Sequence, residues 1–337
     1  MKKSFLGLMA LLTILTLSLV LSSTFHHQTP AHAATTILVT TLDDEIIDDG
    51  NCSLREAITA ANTNTARDAC PAGSDPGPDN IVFAVDGTIT LTAPLPPITT
   101  AITLDGSGRT LVIDGDSRFR AFYVAAMGNL TLDTITVQHG SSADSGGGIV
   151  NDGTLTVTNS TLSGNSAVHG GGIANYRTLT LTNSTLSGNS ADSRGGGIAN
   201  YSTLTLTSST LSGNSAVYGG GIYNGGTVTV TSSTLSSNSA DFGGGIYSGQ
   251  GTVTVTSSTL SSNSALNGGG GIYNSGTLTV TNSTLSGNSA DTWGGGIDNA
   301  GPLTVTSSTL SGNSADYGGG IFNYQSTVTV TSSTLSR

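Results

Sequence analysis

From Gly146 to its last residue the chain is built of near-copies of one short unit, with a period of roughly 25 residues. The Ile that follows each Gly run marks the period: Ile149, Ile173, Ile198, Ile222, Ile246, Ile272, Ile297 and Ile321 each lie one such interval apart, to within a single position. Self-similarity at that period is the signature of a solenoid, in which each repeat touches only its neighbours. A tract rich in Gly, Ser, Thr and Asn can also be unstructured, but the register of the aliphatics argues against it. Ile149, Leu155, Val157 and Leu162 return as Ile173, Leu179, Leu181 and Leu186, with Thr154, Thr156 and Thr158 interleaved. Alternation with period two predicts strands, and β-branched Thr and Val favour them.

Four or five buried aliphatics per unit cannot offset the entropy of ordering a whole unit of chain. Single units are therefore unstable, and the pattern predicts stacked coils whose strands hydrogen-bond to the coils above and below. The expected fold is all-β, a right-handed parallel β-helix of pectin-lyase-like type. Three strands are expected per coil, around Gly-Ile-x-Asn, Thr-Leu-Thr-Val-Thr and Ser-Thr-Leu-Ser. Two Asn columns recur at strand ends, one from Asn151 to Asn323 and one from Asn165 to Asn313, and stacked amides can hydrogen-bond along such a rod. The Gly runs are expected at turns that residues with a side chain resist.

Residues 1–33 read as an export signal: Lys2 and Lys3, an apolar run from Phe5 to Leu21, and a small-x-small site at Ala31-His32-Ala33. The remainder divides into an N-terminal cap, 34–80, and a β-helix, 81–337, regular from 146. It carries 8 Lys+Arg against 21 Asp+Glu, a net charge of −13, which excludes nucleic acid as a partner because phosphates would be repelled. No membrane span is expected after residue 33, and the expected location is extracellular or cell-surface. Cys52 and Cys70 are the two cysteines, and in an exported chain they are expected to form a disulfide. No cofactor or metal is expected.

An open solenoid end exposes unpaired strands and core, so a cover is expected at the N-terminus. Ser53-Leu54-Arg55-Glu56 is a capping box, and Leu54, Ala57, Ile58 and Ala61 fall on one face of a short helix that Asn62 can end. The run Cys52-Ser53-Leu54-Arg55-Glu56-Ala57-Ile58, with Ala60-Ala61-Asn62 after it, resembles the N-terminal signature of CSLREA-type exported bacterial proteins. The Gly-Gly-Ile elements, such as Gly171-Gly172-Ile173, and the Asn-bearing elements, such as Gly188-Asn189, resemble repeats of chlamydial polymorphic outer membrane proteins. These resemblances imply a secreted or surface β-helix that works in adhesion, or in binding glycans or another partner, more than a defined reaction. At the other end, Thr334-Leu335-Ser336-Arg337 stops in mid-unit. Either the sequence continues or this end pairs with another molecule.

Candidate chemistry is sparse. Parallel β-helices include pectate lyases and polygalacturonases, so a polysaccharide lyase or a glycoside hydrolase is an alternative, although fold alone is a weak warrant. Such enzymes need grouped carboxylates or acidic Ca²⁺ ligands beside a base. Asp192, Asp241, Asp291 and Asp316 occupy one equivalent position of different coils, which suits relief of like-charge repulsion better than catalysis. Asp114, Asp116, Arg118 and Arg120 form a tighter group that a solvated turn explains equally well. Asp43, Asp44, Glu45, Asp48 and Asp49 crowd one loop without the oxygen spacing of a calcium loop. No catalytic residue is assigned.

Aromatics offer the better binding candidates. Tyr223, Tyr247 and Tyr273 recur one coil apart, and Trp293 and Tyr317, like Tyr218 and Phe242, precede the Gly runs. Such rings either stack against sugars or simply stabilise the ladder by stacking on one another. Finally, Thr156 and Thr158 recur in every unit, giving an outward array that resembles the Thr-x-Thr faces of β-solenoid ice-binding proteins. The plainer account is that Thr suits outward strand positions and was copied with the unit.

Overall fold

A computed structural model describes residues 35–74 and 77–337; the expected export signal lies outside the described residues. The chain winds into an all-parallel β-solenoid with, among the described residues, one short helix, α1, at Leu54–Thr63. Strands from successive coils assemble four parallel sheets of 12, 11, 9 and 7 strands. Three of these are the expected ones. In the largest, Thr154–Thr158 pairs with Thr178–Thr182, and that with Thr203–Thr207, residue for residue. The fourth sheet is an addition to the expected three. It runs from Ser141–Ser145 through Ser166–His169 to Ser289–Ala290, with shifts of register on the way. In these strands Ala is the recurrent inward residue, so the sequence carries little apolar alternation to reveal them.

The core is a set of aliphatic columns. Ile149, Leu155, Val157 and Leu162 are fully buried, as are their counterparts Ile173, Leu179, Leu181 and Leu186 in the next coil. Ile198 lies directly above Ile222 in register. The extra positions of the longer units are taken up in loops and in the register shifts of the fourth sheet. Across the longest of them Ile246 still pairs with Ile272, and Val253 with Leu278, so the columns continue unbroken.

Polar ladders run beside the apolar ones. Asn165, Asn189, Asn214, Asn238, Asn263, Asn288 and Asn313 form one unbroken series, each side-chain NH₂ donating to the next amide carbonyl at 2.9 to 3.0 Å. Each amide also donates to a backbone carbonyl of the preceding coil, as Asn214 does to Leu186. The Asn151 series is similar but breaks at Ser248. Asn224 donates to Ser248 Oγ at 3.4 Å, and Asn274 Oδ1 is left buried without a partner. A third ladder was not expected: Ser160, Ser184, Ser209, Ser233, Ser258, Ser283, Ser308 and Ser333 each accept, at Oγ, the backbone N–H of the equivalent residue one coil earlier.

Glycine acts here in two ways. Gly170 has φ +65°, the turn conformation expected. Gly172 is required for a different reason, since a Cβ there would lie 2.6 Å from Gly197 O of the next coil. The Gly runs are thus places of close coil stacking as well as turns.

The N-terminal end is closed as expected. Cys52 and Cys70 form a disulfide, and the capping box is complete, with Ser53 Oγ accepting from Glu56 N–H and the Glu56 carboxylate accepting from Ser53 N–H. Leu54, Ala57, Ile58 and Ala61 are fully buried. The helix ends slightly later than expected, capped by Asn64 in the left-handed conformation. Asn62 instead reaches out of the helix, donating to Pro97 O and accepting from Thr99. No helix among the described residues is long and apolar enough to cross a membrane.

Candidate functional site

Of the expected acidic groups, Asp241 and Asp291 line one cavity of about 320 Å³, while the Asp44 and Asp114 groups belong to earlier coils. Asp44 belongs to the cap, where it receives a bidentate pair of hydrogen bonds from Arg55 at 2.7 and 2.9 Å and a third from Thr92 N–H at 2.7 Å. Asp49 accepts from Asn51 instead, which holds its carboxyl below the usual range. No group of three or more potential metal ligands occurs among the described residues. Asp114 faces Gln138 and His139 at 2.8 and 3.0 Å. Burial raises its pKa, but hydrogen bonds from Gln138, the Asp116 backbone and His139 together bring it below the usual value. Arg118 lies over the Phe119 ring at 4.8 Å, while Arg120 turns away to the backbone carbonyls of Ser145 and Gly146. Around Arg120 a cavity of about 340 Å³ also presents Tyr123, Asp144, Asp152 and Tyr176. Asp152 is engaged there by Tyr123 OH at 2.8 Å.

The aromatic residues do come together. They occupy two adjacent columns on one side of the rod. The first follows the inward Ile by one residue and reads Val150, Ala174, Ala199, Tyr223, Tyr247, Tyr273, Asp298, Phe322 from coil to coil. The second lies just before the Gly runs and reads Ser145, His169, Arg194, Tyr218, Phe242, Gly268, Trp293, Tyr317. Parallel in-register strands put equivalent rings about 4.8 Å apart, close to the spacing of stacked aromatics. Tyr223 and Tyr247 stack at 5.6 Å and 8° between planes, and Tyr247 and Tyr273 at 4.8 Å and 3°. Edge-on contacts tie the columns together, Tyr218 to Tyr247 at 5.2 Å and Phe242 to Tyr273 at 5.7 Å. Burial among the other rings raises the Tyr247 pKa.

The repeat suggests this stacking but not its consequence. In a stacked column each ring covers its neighbour's face, so Tyr223 and Tyr247 offer edges to the outside. Free faces belong to rings beside a break. Arg194 occupies one such place, 5.1 Å over the Tyr223 ring. Tyr176 and Tyr201 add a further stacked pair at 5.0 Å. The sequence pattern does not single out these two, because they lie in loops outside the strands.

The other break is at Gly268 and Asp298, where both columns lose a ring in neighbouring coils. A cavity of about 370 Å³ opens there, lined by Phe242, Tyr273, Trp293, Phe322, Tyr324 and Asp298. Trp293 is 39 % exposed and Tyr317, farther along the same column, 61 %. Asp298 is 7 % exposed. Its carboxylate makes no hydrogen bond or ion pair among the described residues, and burial pushes its pKa up to about 6.

The outward Thr columns are in register as well, with Thr156, Thr180, Thr205, Thr229, Thr254 and Thr279 paired in sequence across neighbouring strands.

No curated protein and no solved structure matches the chain. The family model described as the Chlamydia polymorphic membrane protein repeat matches residues 257–275, which run from the end of one large-sheet strand through Ser264–Gly268 to Tyr273 and Asn274. The repeats of this parallel solenoid are therefore similar to polymorphic membrane protein repeats.

Proposed function

We propose that the chain is exported and displayed at a cell surface as a non-catalytic β-helix that binds glycans or another partner through its aromatic side. The observation that carries this reading is the pair of aromatic columns, which a cavity of about 370 Å³ interrupts at Gly268 and Asp298. Similarity to polymorphic membrane protein repeats supports surface association, and the export signal read in residues 1–33 supports secretion. The acidic chain repels nucleic acid, whereas its aromatic columns suit the apolar faces of sugars.

A panel of polyuronates and neutral polysaccharides tests the reading. The protein is expected to retain at least one polymer uncut, and replacing Tyr273 and Trp293 by Ser should release it. Release of shortened chains would instead favour a lyase or hydrolase, with the Arg120, Asp144 and Asp152 cavity as the place to look. The in-register Thr columns support ice binding as a second reading. It requires inhibition of ice recrystallisation that Thr205→Lys with Thr229→Lys abolishes.

A further inference from the structure

The double break in the aromatic columns has its own chemistry. At most coils the first column places a ring or a small aliphatic group beside its neighbour, but at position 298 it places a carboxylate between Tyr273 and Phe322. In the second column, Gly268 stands between Phe242 and Trp293 and contributes no side chain. The two departures depend on each other. A Cβ built on Gly268 would collide with Asp298 Oδ2, so the absent side chain at 268 makes the space the carboxylate occupies. The result is an anion set among rings: Tyr273 turns toward it the face not covered by Tyr247, and Trp293 stands 6.4 Å from Phe322 at 33°.

We propose that this cavity binds a trimethylammonium group, with the aromatic rings as its cage and Asp298 as its counter-ion. Four features select that class of ligand. A buried carboxylate without a partner calls for a positive charge, and no Lys, Arg or His lines the cavity to provide one. Ring faces attract cations electrostatically, and recognition of quaternary ammonium groups by aromatic cages is the characteristic functional use of that attraction. A primary ammonium has three N–H donors to satisfy, and besides Asp298 the lining offers only the phenols of Tyr273 and Tyr324 as side-chain acceptors, the Trp293 indole being a donor. Methylated nitrogen has no donors to strand. A metal ion would need several oxygen ligands, and the lining supplies a single carboxylate. The volume lies within the range of small-molecule sites, about 300–1,000 Å³. This site goes beyond glycan binding, since its selectivity is for charge and neutral sugars do not provide it.

Trp293 is the chain's one tryptophan and lines the cavity, so its fluorescence reports occupancy directly. The full-length protein is titrated with choline, with its uncharged isostere 3,3-dimethylbutanol, with ethanolamine and with neutral monosaccharides. Choline is expected to shift Trp293 emission saturably, with the isostere at least about tenfold weaker, as a cation–π and ion-pair contribution requires. Asp298→Asn should weaken choline about tenfold while leaving the isostere unchanged. Gly268→Phe, which fills the gap and displaces the carboxylate, should abolish both responses while the circular dichroism of the β-rod is retained. Equal affinity for choline and its isostere, an unaltered response in Asp298→Asn, or no saturable response to choline would overturn the proposal. A response to monosaccharides alone would overturn it too while leaving glycan binding standing. Tighter binding of ethanolamine than of choline would overturn it in favour of a primary ammonium ligand.

Discussion

Between Thr36 and Ser145 successive coils share their inward aliphatics but no continuous polar ladder, whereas from Gly146 onward the same Asn, Ser and Thr recur at the same place in coil after coil. The first region is held by unique partners: a disulfide, a capping box and the Arg55–Asp44 pair, whose side chains are 9 % and 0 % exposed. Arg55 also donates to the carbonyls of Ala93 and Pro94, which fastens the acidic loop and the helix to the first coils. The second region is held by repetition, each ladder residue satisfying the one before it. Stability in the cap therefore rests on single side chains. In the repeats it is shared, and individuality shows where a column breaks, as at Arg194, Ser248, Gly268 and Asp298.

Four substitutions sharpen that contrast. The largest loss is expected from Arg55→Ala, which leaves the Asp44 carboxylate buried without its partner and should cost about 3–5 kcal/mol of unfolding free energy in denaturant titration. In the middle of a ladder, Asn214→Leu removes the donor to Leu186 O and Asn238 Oδ1 and the acceptor for Asn189. Unsatisfied neighbours there should cost about 2–3 kcal/mol. A cost as large as that of Arg55→Ala would erase the distinction between the two regions.

The breaks predict gains. Burial raises the Asp298 pKa to about 6 from an unfolded value near 3.8. Between these values the folded state holds the extra proton, so stability rises as pH falls, and above pH 6 the ionised carboxylate is a burden. Asp298→Asn should therefore stabilise the protein at pH 7 by on the order of 2 kcal/mol and have no such benefit at pH 4. Thermal melts at the two pH values check this, and a gain independent of pH would contradict it. Ser248→Asn restores the donor that Asn274 Oδ1 lacks and should add about 1 kcal/mol. A loss there would show that the column is interrupted for a packing reason.

The columns are legible in the sequence because identical residues at a constant period leave one arrangement of strands, and the capping box and cysteines are legible because their signatures are local. What stays hidden depends on three dimensions. The fourth sheet has too little apolar alternation to stand out from loop. The Ser ladder is built from a residue type that is ordinary at turns. Arg55 bonds to residues 38 and 39 positions away as well as to Asp44, a meeting no local pattern encodes. The aromatic candidates are visible as a list, Tyr223, Tyr247, Tyr273, Trp293 and Tyr317. The cavity is not, because it arises from an absent side chain at Gly268 set beside an acid of the following coil.

All of these assignments depend on coils stacking in register at a constant rise, and distances between spin labels on the outward Thr column measure that rise directly. Labels replacing Thr180 and Thr279, four coils apart, should lie about 19 Å from each other, and labels replacing Thr131 and Thr304, seven coils apart, about 34 Å. Distances that grow by about 4.8 Å per coil, regardless of whether the intervening units are shorter or longer, are the predicted result. Distances that follow the number of residues instead of the number of coils, or that spread broadly, would contradict the stacked columns and the site built on them.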